Sequence, residues 1–134
     1  MRYLLQSVTV FLTPYVAIGM AASLGAILRY VVGTVCGRFF GTGFPVGTFV
    51  INISASMFLG WFLASIQGRM VVSDTVRLAV AVGFVGTYST FSTFAYESSA
   101  LLEGGSGIKA LVYMLGSLIG GVVAVRIGAA LASV

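Results

Sequence analysis

Histidine is missing from this sequence of 134 residues, and cysteine occurs once. A single cysteine excludes an intrachain disulfide, and the lack of histidine excludes a Cys/His zinc site and histidine-based acid–base catalysis. Charged residues make up 7% of the chain, against about 25% in a soluble domain. We therefore expect a protein embedded in a lipid bilayer. With three carboxylates and no histidine, the chain is a poor candidate for an enzyme.

The few charges that are present do not form a cluster. The formal net charge of +4 is spread along the sequence, so there is no polybasic segment of the kind that binds nucleic acid or a lipid headgroup. We expect no nucleic-acid partner.

Long apolar runs dominate the sequence, since 59% of the residues are hydrophobic. A transmembrane helix needs about 20 residues to cross about 30 Å of hydrocarbon. Runs of sufficient length cover residues 14–39, 47–67, 75–102 and 107–131. The connections are short, which leaves no room for a soluble domain. The sequence predicts an all-α membrane protein in which residues 1–134 form a single domain of four transmembrane helices.

The third predicted span carries hydroxyl groups at a depth where they are costly. From Thr87 to Thr93, six of seven residues have a hydroxyl. Polar groups inside a bilayer mark a site when they are paired or line a wet cavity. Gly83 and Gly86 are expected to bracket a break in this helix, and the backbone carbonyls that a break exposes can coordinate a hard cation such as Na⁺.

After the expected break, Phe91, Phe94 and Glu97 repeat every three residues along one helical face. Packing against a neighbouring helix is one explanation for the two phenylalanines. They also suit an anion, because the edge of an aromatic ring is electropositive and a small anion can lie against it.

The second and fourth spans add polar residues at helical spacing. Thr48, Asn52 and Ser56 share a face, as do Tyr113 and Ser117. Interhelical hydrogen bonding is one explanation for such residues. For Asn52 we favour a role as a neutral anion donor, because its amide carries two N–H groups.

Arg29 lies inside the first span. Its side chain either extends to the membrane surface as an anchor, or faces inward to brace a loop or supply positive potential.

The charges that set membrane orientation are nearly balanced. With four spans, Arg2, Arg69 and Arg77 lie on one side, and Arg38 and Lys109 lie on the other. This small difference predicts insertion in both orientations and an antiparallel homodimer.

Three motifs together resemble the Fluc (CrcB) family of bacterial fluoride channels. They run from Gly25 to Tyr30, from Gly47 to Asn52 and from Gly86 to Phe94. The Ser-Thr-Phe-Ser-Thr-Phe run and the Gly-Thr-x-x-x-Asn motif are the specific parts, and the similarity extends over all four spans.

The resemblance implies an antiparallel, dual-topology homodimer with two fluoride pores and a structural Na⁺ at the dimer centre. It implies that the backbone carbonyls of Gly86 and Ser89 hold the Na⁺. The other residues that match the family's functional positions are the pore residues Asn52, Phe91, Thr93, Phe94, Tyr113 and Ser117, the polar-track residues Thr48 and Glu97, and the structural arginine Arg29. The family commonly has a second glycine where this chain has Thr87, which makes left-handed backbone harder to adopt there.

By this resemblance we expect a passive, fluoride-selective channel that spans the plasma membrane, the bacterial inner membrane, several times. One alternative is a small proton-coupled exporter of cationic drugs that uses Glu97 as its carboxylate. The other is a membrane scaffold subunit that transports nothing, which leaves the buried hydroxyl run unexplained.

Overall fold

The computed structural model describes residues 2–68 and 71–132, and for residues 2–11 and 68 it describes the backbone alone. The predicted domain of residues 1–134 therefore has five residues (1, 69, 70, 133 and 134) outside the described part. Arg69, which enters the charge count for orientation, is one of them. The described ranges are helical throughout, apart from short connecting turns and a break in the third span.

The helices follow one another along the chain and are joined by short turns. In chain order they are α1 (Arg2–Phe40), α2 (Val46–Gly68), α3 (Asp74–Leu78), a π-helical stretch (Ala79–Val85), α4 (Gly86–Tyr88), α5 (Phe91–Glu103) and α6 (Gly107–Leu131). Segments long and apolar enough to cross a membrane are Leu12–Phe40, Val46–Gln67, Asp74–Glu103 and Gly107–Leu131. The prediction of four transmembrane helices with an interrupted third helix is confirmed. The first helix starts earlier than predicted and continues through Pro14.

The closest helix pair is α2 with α6, whose backbones touch because both helices carry glycine at the crossing. A Cβ added to Gly60 would overlap the backbone of Val125, and a Cβ added to Gly128 would overlap the carbonyl of Met57. Small residues at helix crossings are how membrane helices gain van der Waals contact, since lipid offers no hydrophobic driving force between them.

The interruption of the third span lies at Ser89 and Thr90, and its predicted position was wrong. Gly86 is helical (φ −63°, ψ −29°), whereas Ser89 (φ −73°, ψ 159°) and Thr90 (φ −151°, ψ 114°) are extended. Left-handed backbone is not needed at Thr87, because Thr87 lies within α4 and no described residue other than glycine has positive φ. Glycine permits a break but does not impose one; the partners of the freed backbone groups decide where it falls.

The buried apolar core lies beside the break. Its members are Ile51 and Ala55 on α2 together with Val85 and Tyr88 on the third span. Elsewhere the helices present large apolar side chains outward, as lipid-facing surfaces do. The break therefore lies next to a buried apolar cluster.

Candidate functional site

Asn52 binds both backbone groups of Thr90 at the break. Its Nδ2 donates to the Thr90 carbonyl at 3.2 Å, and the Thr90 N–H donates to its Oδ1 at 2.9 Å. An unpaired peptide group in hydrocarbon costs several kcal/mol. The side chain of Asn52, on α2, thus replaces hydrogen bonds that the backbone of Thr90 would make in a continuous helix.

Thr90 also begins the next helix. It is the N-cap of α5, and its Oγ1 accepts from the Thr93 N–H at 3.3 Å. The Thr93 hydroxyl lies 2.9 Å from the same Oγ1. Because Asn52 fixes Thr90 and Thr90 caps α5, the amide sets the direction in which α5 leaves the break.

A cavity of about 280 Å³ opens next to this pair. It is lined by uncharged residues, namely Asn52, Ser56, Ser89, Thr90, Phe91, Phe94, Ser117 and Leu118. The Ser117 hydroxyl is buried and has no hydrogen-bond partner in the described part of the protein. The Asn52 amide keeps one N–H beyond the one given to Thr90. The cavity therefore offers donors whose capacity the protein itself does not use.

The rings of Phe91 and Phe94 line the cavity, and they belong to an aromatic cluster that continues to Tyr113 and Phe44. The centroids of Phe91 and Phe94 are 5.9 Å apart, and Phe94 lies 5.1 Å from Tyr113, with the ring planes tilted in both pairs. Phe44 meets Tyr113 edge-on at 5.6 Å. Tyr113 has no exposed surface, while Phe91 is 80% exposed. The cluster is packed on the side of α6 and open on the side of Phe91.

Glu97 joins three helices through its two carboxylate oxygens. The Thr48 hydroxyl donates to Oε1 at 2.9 Å, and the Tyr113 hydroxyl donates to Oε2 at 2.7 Å. These bonds connect α5 to α2 and to α6. The carboxyl group of Glu97 is therefore held in place by hydroxyl groups from two other helices.

A second cavity, of about 450 Å³, lies on the other side of Glu97. Its polar lining includes Thr48 and Glu97, and its wall includes Phe44 and Tyr96. Thr48 lies about one helical turn from Asn52 on α2, and Glu97 lies about one turn from Phe94 on α5. Asn52 and Phe94 line the first cavity. Each cavity is thus lined by residues of both α2 and α5, about one helical turn apart.

The structure brings most of the predicted pore residues together and separates others. Thr93 and Tyr113 line neither cavity, since the Thr93 hydroxyl is turned to Thr90 and the Tyr113 hydroxyl to Glu97. Arg29 is half-buried on α1 and makes no hydrogen bond or ion pair within residues 12–67 and 71–132. Ser89 lines the first cavity, whereas Gly86 is exposed on the outside of α4.

A bound cation would have to use backbone or hydroxyl oxygens. The described residues hold no group of three or more His, Cys, Asp or Glu side chains. In an unbroken helix the Gly86 carbonyl would accept from the Thr90 N–H, but that N–H is bonded to Asn52. The Gly86 carbonyl has thus lost its helical partner, and carbonyls of this kind suit a hard cation such as Na⁺.

Sequence reasoning missed three residues around the break. Thr90 was counted only as part of the hydroxyl run, although it is 7% exposed and holds the junction of the two helix segments. The Tyr88 hydroxyl lies 2.9 Å from Ser54 Oγ on α2, and neither residue was singled out. An N-cap pattern before an apolar run signals a position such as Thr90, but no local signal shows that Tyr88 and Ser54 meet.

Comparison with known proteins gives consistent matches. The family model described as CrcB-like protein, Camphor Resistance (CrcB), matches residues 16–129. The Fluoride-specific ion channel FluC of Chloroflexus aurantiacus is 44% identical over 115 residues, which are 86% of this chain and 91% of the relative. The proteins of the same name from Acidobacterium capsulatum and Aquifex aeolicus are 39% identical over 114 residues (85% of this chain, 91% of the relative) and 35% identical over 106 residues (79% and 86%).

Proposed function

The chain belongs to the CrcB family, and on this premise we propose that it is a fluoride-selective channel of the plasma membrane. Fluoride enters cells as neutral HF and dissociates in the cytoplasm. The channel lets the anion leave passively, down its electrochemical gradient, which lowers fluoride toxicity. The relatives reported above carry the name of fluoride-specific ion channels, and a channel of this kind is not an enzyme.

The unpartnered hydroxyl of Ser117 is the observation that carries this proposal. It lines an uncharged cavity together with the Asn52 amide and the rings of Phe91 and Phe94. A buried hydroxyl without a partner costs free energy, and an anion in the cavity would accept its hydrogen bond. Fluoride is small and strongly hydrated, so a pore must offer several donors in place of water.

The lack of a fixed cation in this lining favours conduction over trapping. Lys and Arg are absent from the residues that line the described cavity. Neutral donors and electropositive ring edges stabilise an anion less strongly than a buried ammonium or guanidinium group does. A conducting site must release its ion as well as bind it.

The open side of the cavity is where a second copy of the chain would complete it. Phe91 is part of the lining, yet 80% of it is exposed, so one protomer does not enclose the path. An antiparallel homodimer would bring the second copy against this face. The near-balance of Arg2, Arg69 and Arg77 against Arg38 and Lys109 in the sequence is in keeping with insertion in both orientations.

A structural Na⁺ fits the carbonyls at the break. Gly86 is exposed on the face of α4, and its carbonyl lacks the donor that a continuous helix would supply. The carbonyl of Ser89, at the end of α4, is the second proposed ligand. The Na⁺ would hold the two broken spans together at the dimer centre.

Ion efflux from liposomes tests the proposed function. Purified protein in liposomes loaded with fluoride and chloride should release fluoride and retain chloride. Ser117→Ala, which removes the unpartnered hydroxyl, should slow fluoride release. Comparable release of both anions would overturn the selectivity, and no release of fluoride would overturn the function.

Reporter fusions test the dual topology. Fusions at the C-terminus should be found on both sides of the membrane. A C-terminus found on one side alone would exclude an antiparallel dimer.

The exporter alternative depends on Glu97 as a carboxylate that is free to bind protons and substrate. In the structure both of its oxygens accept hydrogen bonds from neighbouring helices. A scaffold subunit, for its part, has no use for the unpaired Ser117 hydroxyl in a cavity. No specific observation favours either alternative.

A further inference from the structure

We propose that Thr87 and Tyr88 are positioning residues that lock the upstream side of the break between α1 and α2. Their effect on conduction rests on the proposed function, because the break carries the lining of the first cavity. Neither residue lines either of the two cavities described above. Both act through the backbone that connects them to Ser89 and Thr90.

Tyr88 ties the end of α4 to α2. Its side chain is 8% exposed and stacks on Phe84 with ring centroids 6.1 Å apart. Ser54 Oγ lies 2.9 Å from the Tyr88 hydroxyl and 2.8 Å from the Val50 carbonyl. A hydroxyl has a single hydrogen. When Ser54 donates to Val50, the Tyr88 hydroxyl must donate to Ser54, and this relay uses both hydrogens.

Thr87 ties the same short helix to α1. Its Oγ1 lies 2.9 Å from the Ala22 carbonyl across the interface, and 2.7 Å from the Gly83 carbonyl one turn back. One hydrogen is shared between acceptors in two different spans. The hydroxyl therefore links the third span to the first at the level of the break.

The Thr87 side chain fits because the facing position on α1 has no side chain. A Cβ added to Gly25 would overlap both Thr87 Oγ1 and the Phe84 carbonyl. The backbone of α1 thus approaches the third span closely enough for Thr87 to reach the Ala22 carbonyl.

These contacts hold the N-terminal end of the break, whereas Asn52 holds its C-terminal end at Thr90. Two hydrogen-bonded contacts join α2 to the third span, one between Ser54 and Tyr88 and one between Asn52 and Thr90. Ser89 is the one residue between Tyr88 and Thr90, and its extended backbone changes the direction of the chain. A hydrogen bond that crosses between spans on each side of one residue fixes the rotation and the register of that residue. The lining contributed by Ser89 and Phe91 follows from it.

Hydrogen–deuterium exchange and fluoride efflux together test this proposal on the full-length protein. Thr87→Val and Tyr88→Phe keep the side-chain volume and remove the hydroxyl, while Thr87→Ser restores it. Ser65→Ala is the matched control, because Ser65 is 8% exposed and its hydroxyl donates to the Trp61 carbonyl within the same helix at 2.8 Å. Deuterium uptake is measured on the peptide that covers the break, and release of fluoride from liposomes is measured on the same variants.

If Thr87 and Tyr88 position the break, deuterium uptake there should be about three- to tenfold faster in Thr87→Val and Tyr88→Phe than in the wild type. This factor corresponds to the loss of one net hydrogen bond. Fluoride release should slow by a similar factor, with both effects reversed in Thr87→Ser and absent in Ser65→Ala. Wild-type uptake at the break in both variants would overturn the proposal, even if their melting temperatures fall. Faster uptake with wild-type fluoride release would overturn the link to conduction. If the wild-type protein itself releases no fluoride, the proposed function fails while the exchange data still decide the positioning.

Discussion

Asn52 and Thr90 form a cyclic pair in which a side-chain amide binds a peptide group, with Nδ2 3.2 Å from the Thr90 carbonyl and Oδ1 2.9 Å from its N–H. They are 38 residues apart in the sequence. The pair provides hydrogen bonds for the Thr90 backbone at the break in the third span. It leaves one amide N–H of Asn52 free to face the cavity. One residue therefore serves the backbone and the proposed anion path at once.

Asn52→Asp should damage both roles. The carboxylate can still accept from the Thr90 N–H but cannot donate to the Thr90 carbonyl, and it places a negative charge beside an anion path. We expect a loss of about 1–3 kcal/mol in the free energy of unfolding and fluoride release at least about tenfold slower. Thermal unfolding and liposome efflux measure the two effects. Ser99→Ala, at an exposed hydroxyl bonded to Glu103, is the control, and wild-type release from Asn52→Asp would contradict the assignment.

Phe94→Ile should sharply slow fluoride release without preventing folding. Isoleucine fills much of the volume but has no electropositive ring edge. The matched control is Phe58→Ile, since Phe58 packs against Phe84 and Trp61 and lines neither cavity. Efflux from liposomes at equal protein density compares the two. Equal rates for both variants would show that Phe94 acts by packing alone.

Glu97→Gln and Tyr113→Phe should destabilise the protein through the same interaction. The glutamine carbonyl can accept one hydroxyl, whereas the glutamate accepts from both Thr48 and Tyr113. Interhelical hydrogen bonds in membranes contribute about 0.6 kcal/mol on average. We expect each variant to lose about that amount or more, and the double variant to lose less than the sum. Strict additivity in a double-mutant cycle would mean that the observed bond contributes no coupling free energy.

Gly128→Ala should separate α2 from α6. The added Cβ would overlap the Met57 carbonyl, and overpacking of this kind typically costs about 1–3 kcal/mol. Gly19→Ala is the control, because no atom lies within 4 Å of the added Cβ there. Thermal unfolding should show a large loss for Gly128→Ala and little change for Gly19→Ala. Similar melting temperatures for the two variants would show that the helices adjust without cost.

Removal of Na⁺ should lower both stability and fluoride release if the carbonyls of Gly86 and Ser89 hold this ion. A ligand present at about 100 times its Kd stabilises the folded state by about 2.7 kcal/mol. Replacement of Na⁺ by a large organic cation measures the effect. Ser89→Ala should keep the Na⁺ dependence, because the proposed ligand is the backbone carbonyl. The same melting temperature with and without Na⁺ would rule the site out.

The amino-acid sequence by itself determined that this is a four-helix membrane protein with polar residues concentrated in its third span. Span length, the scarcity of charge and the hydroxyl run are local properties, and each has a direct physical cost in a bilayer. The spacing of Thr48 with Asn52, and of Tyr113 with Ser117, also predicted that the members of each pair share a helical face.

Only the tertiary structure decided where the third span breaks and which polar residues are already paired. The glycines at 83 and 86 made the break appear to lie before Ser89, but the helix continues until Asn52, on another span, can take over the backbone bonds of Thr90. Likewise Glu97 finds its donors on α2 and α6, and Ser117 finds none within the described protein. A buried polar group is costly until it meets a partner, and in a helical membrane protein that partner lies on another helix, out of reach of any local pattern.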